Sequence, residues 1–198
     1  VPADEGGASP LMRCDMLFDA ICEKAPQLAK DFAEKGVKYT TIMPGIDDPE
    51  SGQGRSWKNT LSVETKAEAE EKLQRLGYSW EWLENDKLKA ITGALSAVRE
   101  LPCGRKAFFN QLIAAYMGWQ GVREHHQDTL CFGDGSEIPK EGLELVVELS
   151  EQYVFDLEWQ AGDVAWVDNN LVMHGRRPYD GQTKRQVLVA LGAAKSNS

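Results

Sequence analysis

Apolar residues recur every three or four positions in three segments of the chain, which is the pattern of a helix with one buried face. The first segment is divided at Pro26, because proline is favoured in the first turn of a helix, and Gly36 ends its second half. The second segment opens with Thr65 and Glu68, which have the spacing of a capping box. The three segments are residues 11–35, 65–77 and 139–152.

Segments that alternate polar and apolar residues, or that are rich in β-branched and aromatic residues, predict strands between and after these helices. The clearest is Val37–Met43 (VKYTTIM), and YSWEWL at residues 78–83 alternates strictly. The chain holds no internal repeat or linker, so we expect one domain spanning residues 1–198. Strands of mixed spacing with helices at the margins predict an α+β fold with a β core, of which a jelly-roll barrel is one form. Further predicted strands are residues 88–92, 153–157, 163–168 and 185–192.

Composition narrows the classes of function. The chain of 198 residues has a net charge of −9 and a pI near 4.9. These values argue against nucleic acid and anionic membranes as partners, because proteins that bind them are usually basic. No apolar run approaches the ~20 residues of a membrane-spanning helix, and we recognise no secretory signal. Four scattered cysteines without a CxxC motif are typical of reduced thiols, so we expect a cytoplasmic protein.

A lone histidine, His174, ends an apolar run between two predicted strands, and Arg185 follows eleven residues later. A neutral imidazole nitrogen can bind a metal, and the planar guanidinium of arginine suits a carboxylate. The pair is therefore compatible with a metal beside an anion site. From the residues alone, a lone histidine is more typical of a surface or hydrogen-bonded core position, and Arg185 has 31 acidic residues with which to pair.

Six motifs follow one another along the chain. They are GGASPL at residues 6–11, GRSW at 54–57, WEW at 80–82, FNQ at 109–111, FGDGS at 132–136, and a stretch within residues 162–190 that contains GDV, DN, HGR, PY and RQVLVA. In this order they resemble the taurine dioxygenase-like family, the TauD/TfdA and clavaminate synthase-like iron(II)/2-oxoglutarate-dependent oxygenases. Each motif is weak by itself, whereas six in sequence over nearly the whole chain make the resemblance specific.

The resemblance implies a double-stranded β-helix (a jelly roll) with flanking helices, and Fe(II) and 2-oxoglutarate as cofactors. In the family, two histidines and one carboxylate hold the iron and leave positions open for 2-oxoglutarate and O₂. His174 matches the distal histidine ligand. Arg185 and Ser9 match the residues that bind the far carboxylate of 2-oxoglutarate. The function so implied is hydroxylation of a small-molecule substrate, whose identity the sequence does not give.

Three further residues in or near these motifs allow two interpretations. Asn110 and Trp57 are candidates for lining the substrate cleft, although an asparagine that ends a strand and a tryptophan that follows a loop are more typical of structural positions. Ser9 has an alternative role as a cap of the helix that follows it. Trp159 is expected in the core or the wall of the barrel, like the other tryptophans of the predicted strands.

One departure from the family concerns the metal. The family's first two iron ligands form an H-x-D/E motif that normally lies upstream of the GG turn. Here that turn is at residues 6–7, so this alignment leaves His174 as one of three ligands. An H-x-D motif does occur at His126 and Asp128, but the family has no ligand there, and a chance match is the preferred interpretation. The alternative is a metal site rebuilt from His126, Asp128 and His174, if the fold brings them together.

The sequence therefore predicts an iron(II)/2-oxoglutarate-dependent oxygenase of the hydroxylase type, or a fragment of one. The alternative is a non-catalytic dicarboxylate-binding or interaction module that has lost its metal site. A jelly roll without its first strands exposes sheet edges and apolar surface. We expect a homo-oligomer, or a missing N-terminal segment, to complete the barrel.

Overall fold

The computed structural model describes residues 6–47, 54–119, 122–179 and 186–192. Over these ranges the fold combines helices with antiparallel sheets. In the described part of the chain, no helix is both long and apolar enough to cross a membrane. The helices are α1 Cys14–Lys24, α2 Pro26–Lys35, α3 Trp57–Leu61, α4 Lys66–Arg75, α5 Leu112–Gly118 and α6 Lys140–Gln152. The strands are β1 Ser9–Arg13, β2 Val37–Met43, β3 Ser79–Leu83, β4 Lys87–Ile91, β5 Val98–Glu100, β6 Lys106–Phe108, β7 Leu130–Phe132, β8 Val154–Leu157 and β9 Val172–His174.

The first sheet has three strands in the order β8-β1-β9, and both neighbours run antiparallel to β1. Met12 of β1 is buried in the main core, and Met173 of β9 packs against the same core. Leu17 and Ile21 of α1 and Leu143 of α6 belong to it as well. Helices α1 and α6 therefore pack on one face of this sheet.

The second sheet has four strands in the order β3-β4-β2-β7. Helices α3 and α4 pack beside it around a second core that includes Trp57, Leu73 and Leu88. Strand β2 belongs to both cores, since Tyr39 lies in the main core and Met43 in the second. The two cores are thus joined through a single strand whose ends face different helices.

A two-stranded hairpin, β5–β6, completes the described sheets. It packs against the start of α1 in a small cluster of Cys14, Leu101 and Ala107. Burial raises the pKa of the Cys14 thiol to about 11, so this cysteine is protonated and packs as a small apolar side chain. All four cysteines of the chain are free thiols.

Local predictions are confirmed where the contacts lie within a few residues. Strand β2 has the predicted bounds, and α2 begins at Pro26. The capping box of α4 is formed: Thr65 Oγ1 accepts from the Glu68 N–H at 3.3 Å, and Glu68 Oε2 accepts from the Thr65 N–H at 2.9 Å. Gly36 ends α2 with φ +68°, at a point where a Cβ would lie 2.3 Å from the carbonyl oxygen of Leu95. A larger residue fits neither the angle nor the space.

Three segments differ from the prediction. Residues 11–13 belong to β1 rather than to the predicted helical segment 11–35, because their backbone groups bond β8 and β9. Residues 163–168 and 186–192 are not strands, and within the described residues neither segment pairs in a sheet. Valine and tryptophan favour a strand only when a neighbouring strand bonds its backbone. Residue 185, the predicted start of the last strand, lies outside the described residues.

Candidate functional site

Strand β9 ends at His174, and its position is set by pairing with β1. Leu11 lies directly opposite His174 in the antiparallel ladder. The pairing continues past the end of β9, since the N–H of Gly175 donates to the carbonyl of Pro10 at 3.2 Å. The histidine therefore lies on a ribbon whose backbone is bonded to β1 before and after it.

Ser9 and His174 share one face of this sheet. Side chains alternate along a strand, so Ser9 and Leu11 project to the same side of β1. Residues directly opposite in a ladder also share a side, which places His174 beside Leu11. Ser9 is then a diagonal neighbour of His174, at a separation of about 7–8 Å. Two of the predicted site residues are thus brought together; we call this side of the sheet the site face.

The opposite face of the sheet is turned to the helices. Arg177, three residues after His174, donates from Nε to Asp156 Oδ1 of β8 at 2.9 Å. Its Nη2 donates to Glu151 Oε2 of α6, also at 2.9 Å. The hydrogen bonds that Arg177 donates to Glu151 and Asp156 raise the pKa of Arg177 above its ordinary value. This arginine ties the end of the β9 ribbon to β8 and α6, so the site face points away from α6.

The site face is open. His174 is exposed, and within the described residues no hydrogen bond or ion pair engages its ring. Phe155 of β8, which lies opposite Leu11, is 64% exposed. A histidine without a protein partner keeps a ring nitrogen available to bind a metal or accept a proton. His174 therefore suits a ligand role in this position.

Segments on either side of β9 in the sequence add further exposed apolar residues. Val164 and Trp166 are 92% and 97% exposed, and Leu188 and Leu191 are 85% and 92% exposed. Single exposed apolar residues are common on proteins. Here they are concentrated in two segments with strand-forming sequence that pair with no strand in the described residues. Such segments are typical of polypeptide that pairs with a further strand.

The start of β9 is anchored to the β5–β6 hairpin. Arg99 of β5 hydrogen-bonds the side-chain oxygen of Asn170, and its guanidinium carbon lies 4.3 Å from the ring centroid of Phe109. Phe109 and Leu171 pack against the same small cluster, and the N–H of Cys14 donates to the carbonyl of Leu171 at 2.8 Å. The FNQ motif therefore packs beside the segment that leads to His174.

A charged cluster lies where β1 joins α1. Asp15 has a side chain only 1% exposed, and it accepts from Arg13 at 2.6 Å and from Arg105 at 2.7 Å. The hydrogen bonds from Arg13 hold the pKa of Asp15 below its ordinary value. Because Arg105 precedes β6, this carboxylate connects the end of β1 to the hairpin, which supports the strand that carries Ser9.

The alternative metal ligands are placed elsewhere. His126 is 4% exposed, and its Nε2 lies 3.1 Å from the carbonyl oxygen of Ile138. A carbonyl only accepts, so Nε2 carries the proton, and Nδ1 is buried without a hydrogen-bond partner in the described residues. Asp128 is exposed. Within the described ranges, no group of three histidine, cysteine, aspartate or glutamate side chains is placed to hold a metal ion. His126, Asp128 and His174 are therefore not assembled into a triad.

These positions determine which of the iron ligands the described residues can supply. His174 fits as one ligand, by residue type and by exposure. A facial triad needs two more ligands, and the described residues do not supply them beside His174. The described residues alone therefore do not form a complete iron site.

Trp57 lies in the second core rather than on the site face. Its side chain is 1% exposed, and its ring meets that of Trp82 edge-on, with centroids 5.2 Å apart. Its indole N–H donates to the carbonyl of Asp86 at 3.1 Å. In the structure, Trp57 therefore has the role of a core residue with its polar group satisfied, and its role as a substrate contact remains a prediction.

Asn110 uses both ends of its side-chain amide within the fold. The nitrogen donates to the carbonyl of Ala97 at 3.0 Å, and the oxygen accepts from the N–H of Leu112 at 2.9 Å. The second bond satisfies one of the free N–H groups at the start of α5. Asn110 therefore links the residue before β5 to the start of α5, and its predicted contact with a substrate is not tested by these bonds.

Ser9 is bonded by a tryptophan that the motifs did not single out. Trp159, which was expected in the core or wall of the barrel, is half-buried, and its indole N–H donates to Ser9 Oγ at 2.9 Å. Ser9 therefore does not cap α1, whose N-cap is Arg13 without a side-chain bond. Nothing in the local sequence links Trp159 to Ser9, because they are joined only by the pairing of β8 with β1. Arg185 lies outside the described residues.

Known proteins match the chain over most of its length. The family model "Taurine catabolism dioxygenase TauD, TfdA family" matches residues 1–191. A clavaminate synthase-like protein from Arabidopsis thaliana is 33% identical over 187 residues, which cover 94% of this chain and 56% of that protein. The dapdiamide synthesis protein DdaC from Enterobacter agglomerans is 29% identical over 203 residues, with coverages of 94% and 57%.

A solved structure also overlaps with the chain. The crystal structure of a proposed alpha-ketoglutarate dependent 2,4-D dioxygenase from Burkholderia xenovorans superposes with a TM-score of 0.46 and 17% identity. The overlap covers 93% of this chain and 55% of that one. In all three comparisons with individual proteins, the chain spans a little over half of the relative's length.

Proposed function

Because the chain belongs to the TauD/TfdA family of taurine catabolism dioxygenases, we propose that it forms the distal-histidine half of an iron(II)/2-oxoglutarate-dependent oxygenase active site. The observation that carries the proposal is the placement of Ser9 and His174 on one open face of the β8-β1-β9 sheet. The proposed reaction is hydroxylation of a small molecule. The proposed complete fold is a double-stranded β-helix in which this sheet forms part of one wall.

Each residue of the half-site has a chemical role in this proposal. His174 offers an imidazole nitrogen to Fe(II), which when fully bound would supply the oxygen chemistry of the family. The hydroxyl of Ser9 donates a hydrogen bond to the far carboxylate of 2-oxoglutarate. The diagonal distance between Ser9 and His174 leaves room for a small dicarboxylate between the two side chains. Arg185, outside the described residues, is proposed to pair with the same carboxylate through its guanidinium fork.

The other half of the site is proposed to come from additional polypeptide. The relatives are nearly twice as long as their match to this chain. The two segments with strand-forming sequence that belong to no sheet of the described residues expose Trp166 and Leu188. We propose that an N-terminal segment with the H-x-D/E ligands pairs with these segments and covers the site face. A second copy of the chain is the competing occupant, and the oligomeric state separates the two. We also propose a cytoplasmic location, which suits the free thiols.

The test is an anaerobic titration of Fe(II) with 2-oxoglutarate. The titration is made on the chain of 198 residues and on the product of the whole reading frame, called here the longer product. The two are compared because the proposed complete site has the H-x-D/E ligands in addition to His174. A visible charge-transfer band in the anaerobic titration, followed by turnover of 2-oxoglutarate once O₂ is admitted, supports the oxygenase for the longer product. Gel filtration of the 198-residue chain at several concentrations shows whether it dimerises.

Two outcomes separate the oxygenase from the binding module. Binding of 2-oxoglutarate without metal in the longer product, lost in Arg185→Ala and without turnover, identifies a dicarboxylate-binding module. Absence of 2-oxoglutarate binding in both proteins, with and without iron, contradicts both functions. Lys184→Ala, at the neighbouring position, is the matched control for the loss of one positive charge.

A further inference from the structure

The side chain of Ser9 has a partner that the family resemblance does not supply. The indole N–H of Trp159 donates to Ser9 Oγ at 2.9 Å across 150 residues of sequence. Ser9 lies opposite Leu157, the last residue of β8. Trp159 follows Leu157 by two residues, and the alternation of side chains along an extended chain places both on the same face. The contact is therefore set by the register of β8 against β1. Trp159 is half-buried, which protects the bond from competing water.

This bond constrains where the hydroxyl proton of Ser9 can point. An indole nitrogen is a donor and never an acceptor, so Ser9 must accept from it with an oxygen lone pair. The proton of the hydroxyl is then directed away from Trp159. Within the described residues no other side-chain bond engages Ser9. The hydroxyl is left as a donor on the site face, without an acceptor among the described residues.

We infer that Trp159 is a positioning residue that turns the Ser9 hydroxyl into a fixed donor for a ligand carboxylate. A carboxylate accepts hydrogen bonds and donates none, so it complements a hydroxyl whose lone pair is already occupied. Donation from the indole also polarises the hydroxyl and strengthens the bond that it donates. The inference rests on the proposed function, since it assigns the origin of the orientation of Ser9 in the same dicarboxylate site.

The experiment is a double-mutant cycle on the affinity for 2-oxoglutarate, measured by calorimetry on the longer product. Trp159→Phe keeps an aromatic ring and removes the donor, and we expect the dissociation constant to rise about two- to tenfold. Ser9→Ala should have an equal or larger effect, and the double variant should be no weaker than Ser9→Ala. Trp159→His restores a ring N–H at the same position and should recover part of the affinity. Trp80→Phe, at a half-buried tryptophan of β3 that packs on the second core, is the matched control.

A second readout does not depend on affinity. The side-chain N–H resonance of Trp159 in nitrogen-15 NMR spectra should shift when 2-oxoglutarate is added, and this shift should disappear in Ser9→Ala. A purely structural tryptophan gives no such dependence on Ser9. In turnover measurements, Trp159→Phe should raise the KM for 2-oxoglutarate and leave kcat unchanged, because the hydroxyl contacts the carboxylate far from the reacting atoms.

The outcomes separate this inference from the function on which it rests. If wild-type protein binds no 2-oxoglutarate, the proposed function fails and this inference fails with it. If wild type binds and Trp159→Phe binds equally well, or the effects of Trp159→Phe and Ser9→Ala simply add, only the role of Trp159 is overturned. If Trp159→Phe does not fold, the dependence of the Trp159 resonance on Ser9 decides the question in the remaining variants.

Discussion

Ser9 and His174 lie on adjacent strands of the β8-β1-β9 sheet, on the same face and one diagonal step apart. In the sequence they are separated by almost the entire chain. The pairing of Leu11 with His174 and the alternation of side chains along β1 are sufficient to place them together. The face they share is open, while the other face packs against α1 and α6.

Replacement of His174 by alanine should remove iron binding and leave the fold intact. The side chain is exposed and has no partner in the described residues, so the free energy of unfolding should change by less than about 0.5 kcal/mol. The visible band of Fe(II) with 2-oxoglutarate should be lost in the longer product. Urea unfolding and anaerobic titration measure the two effects. His125→Ala, at another exposed histidine, should change neither, and an unchanged band in His174→Ala rejects the ligand role.

Replacement of His126 by alanine should have the opposite pattern. It removes a buried ring and the donor to the Ile138 carbonyl, so we expect the free energy of unfolding to fall by about 2 kcal/mol. Metal stoichiometry should not change, because one ring nitrogen is occupied and the other is buried. Urea unfolding and metal analysis of the purified protein check both statements. A loss of bound metal without a loss of stability revives the rebuilt site of His126 and Asp128.

Replacement of Trp57 tests whether this residue belongs to the core. Trp57→Ala should lower the free energy of unfolding by about 3–5 kcal/mol, because a fully buried aromatic side chain is removed. Trp57→Phe should cost less, mainly through the lost bond to the Asp86 carbonyl. Trp166→Ala, at an exposed position, is the control and should be nearly neutral. A Trp57→Ala protein of wild-type stability with weakened substrate binding favours the predicted contact with a substrate.

Replacement of Asp15 by asparagine should destabilise the protein in a pH-dependent way. The folded pKa of Asp15 lies below its ordinary value, so the charged form contributes stability that is complete above the unfolded pKa. That contribution is lost as the pH falls from the ordinary value of 3.8 toward the lower folded pKa. Asp15→Asn should therefore cost about 2 kcal/mol at neutral pH, from hydrogen bonds to a charged group, and less near pH 3.

Urea unfolding of this variant at several pH values makes the comparison. Asp19→Asn is the matched control, since Asp19 has a side chain 71% exposed and lies 3.5 Å from the same Arg105. It should show little change at any pH. A constant difference between wild type and Asp15→Asn across this pH range contradicts the role of the Asp15 charge.

The elements that sequence analysis located correctly are those whose stabilising contacts are local. The bonds between Thr65 and Glu68 join residues three positions apart. Pro26 begins α2 because its ring is compatible with the first turn of a helix. In contrast, residues 11–13 of β1 were predicted as the start of a helix, because the strands that bond their backbone lie at the other end of the chain. Residues 163–168 and 185–192 were predicted as strands from their composition. Residues 163–168 and 186–192 are not strands in the structure, because no strand of the described residues bonds their backbone.

By itself, the sequence determined the family, through six ordered motifs, and it selected His174 and Ser9 by their positions in those motifs. It also determined the local elements, because capping and helical periodicity act over a few residues. Only the tertiary structure decided that Ser9 and His174 share a face, that His126 is buried against Ile138, and that Trp159 bonds Ser9. These relationships depend on strand register and on packing between distant segments. Strand register and long-range packing cannot be predicted from the residues that neighbour each position in the sequence.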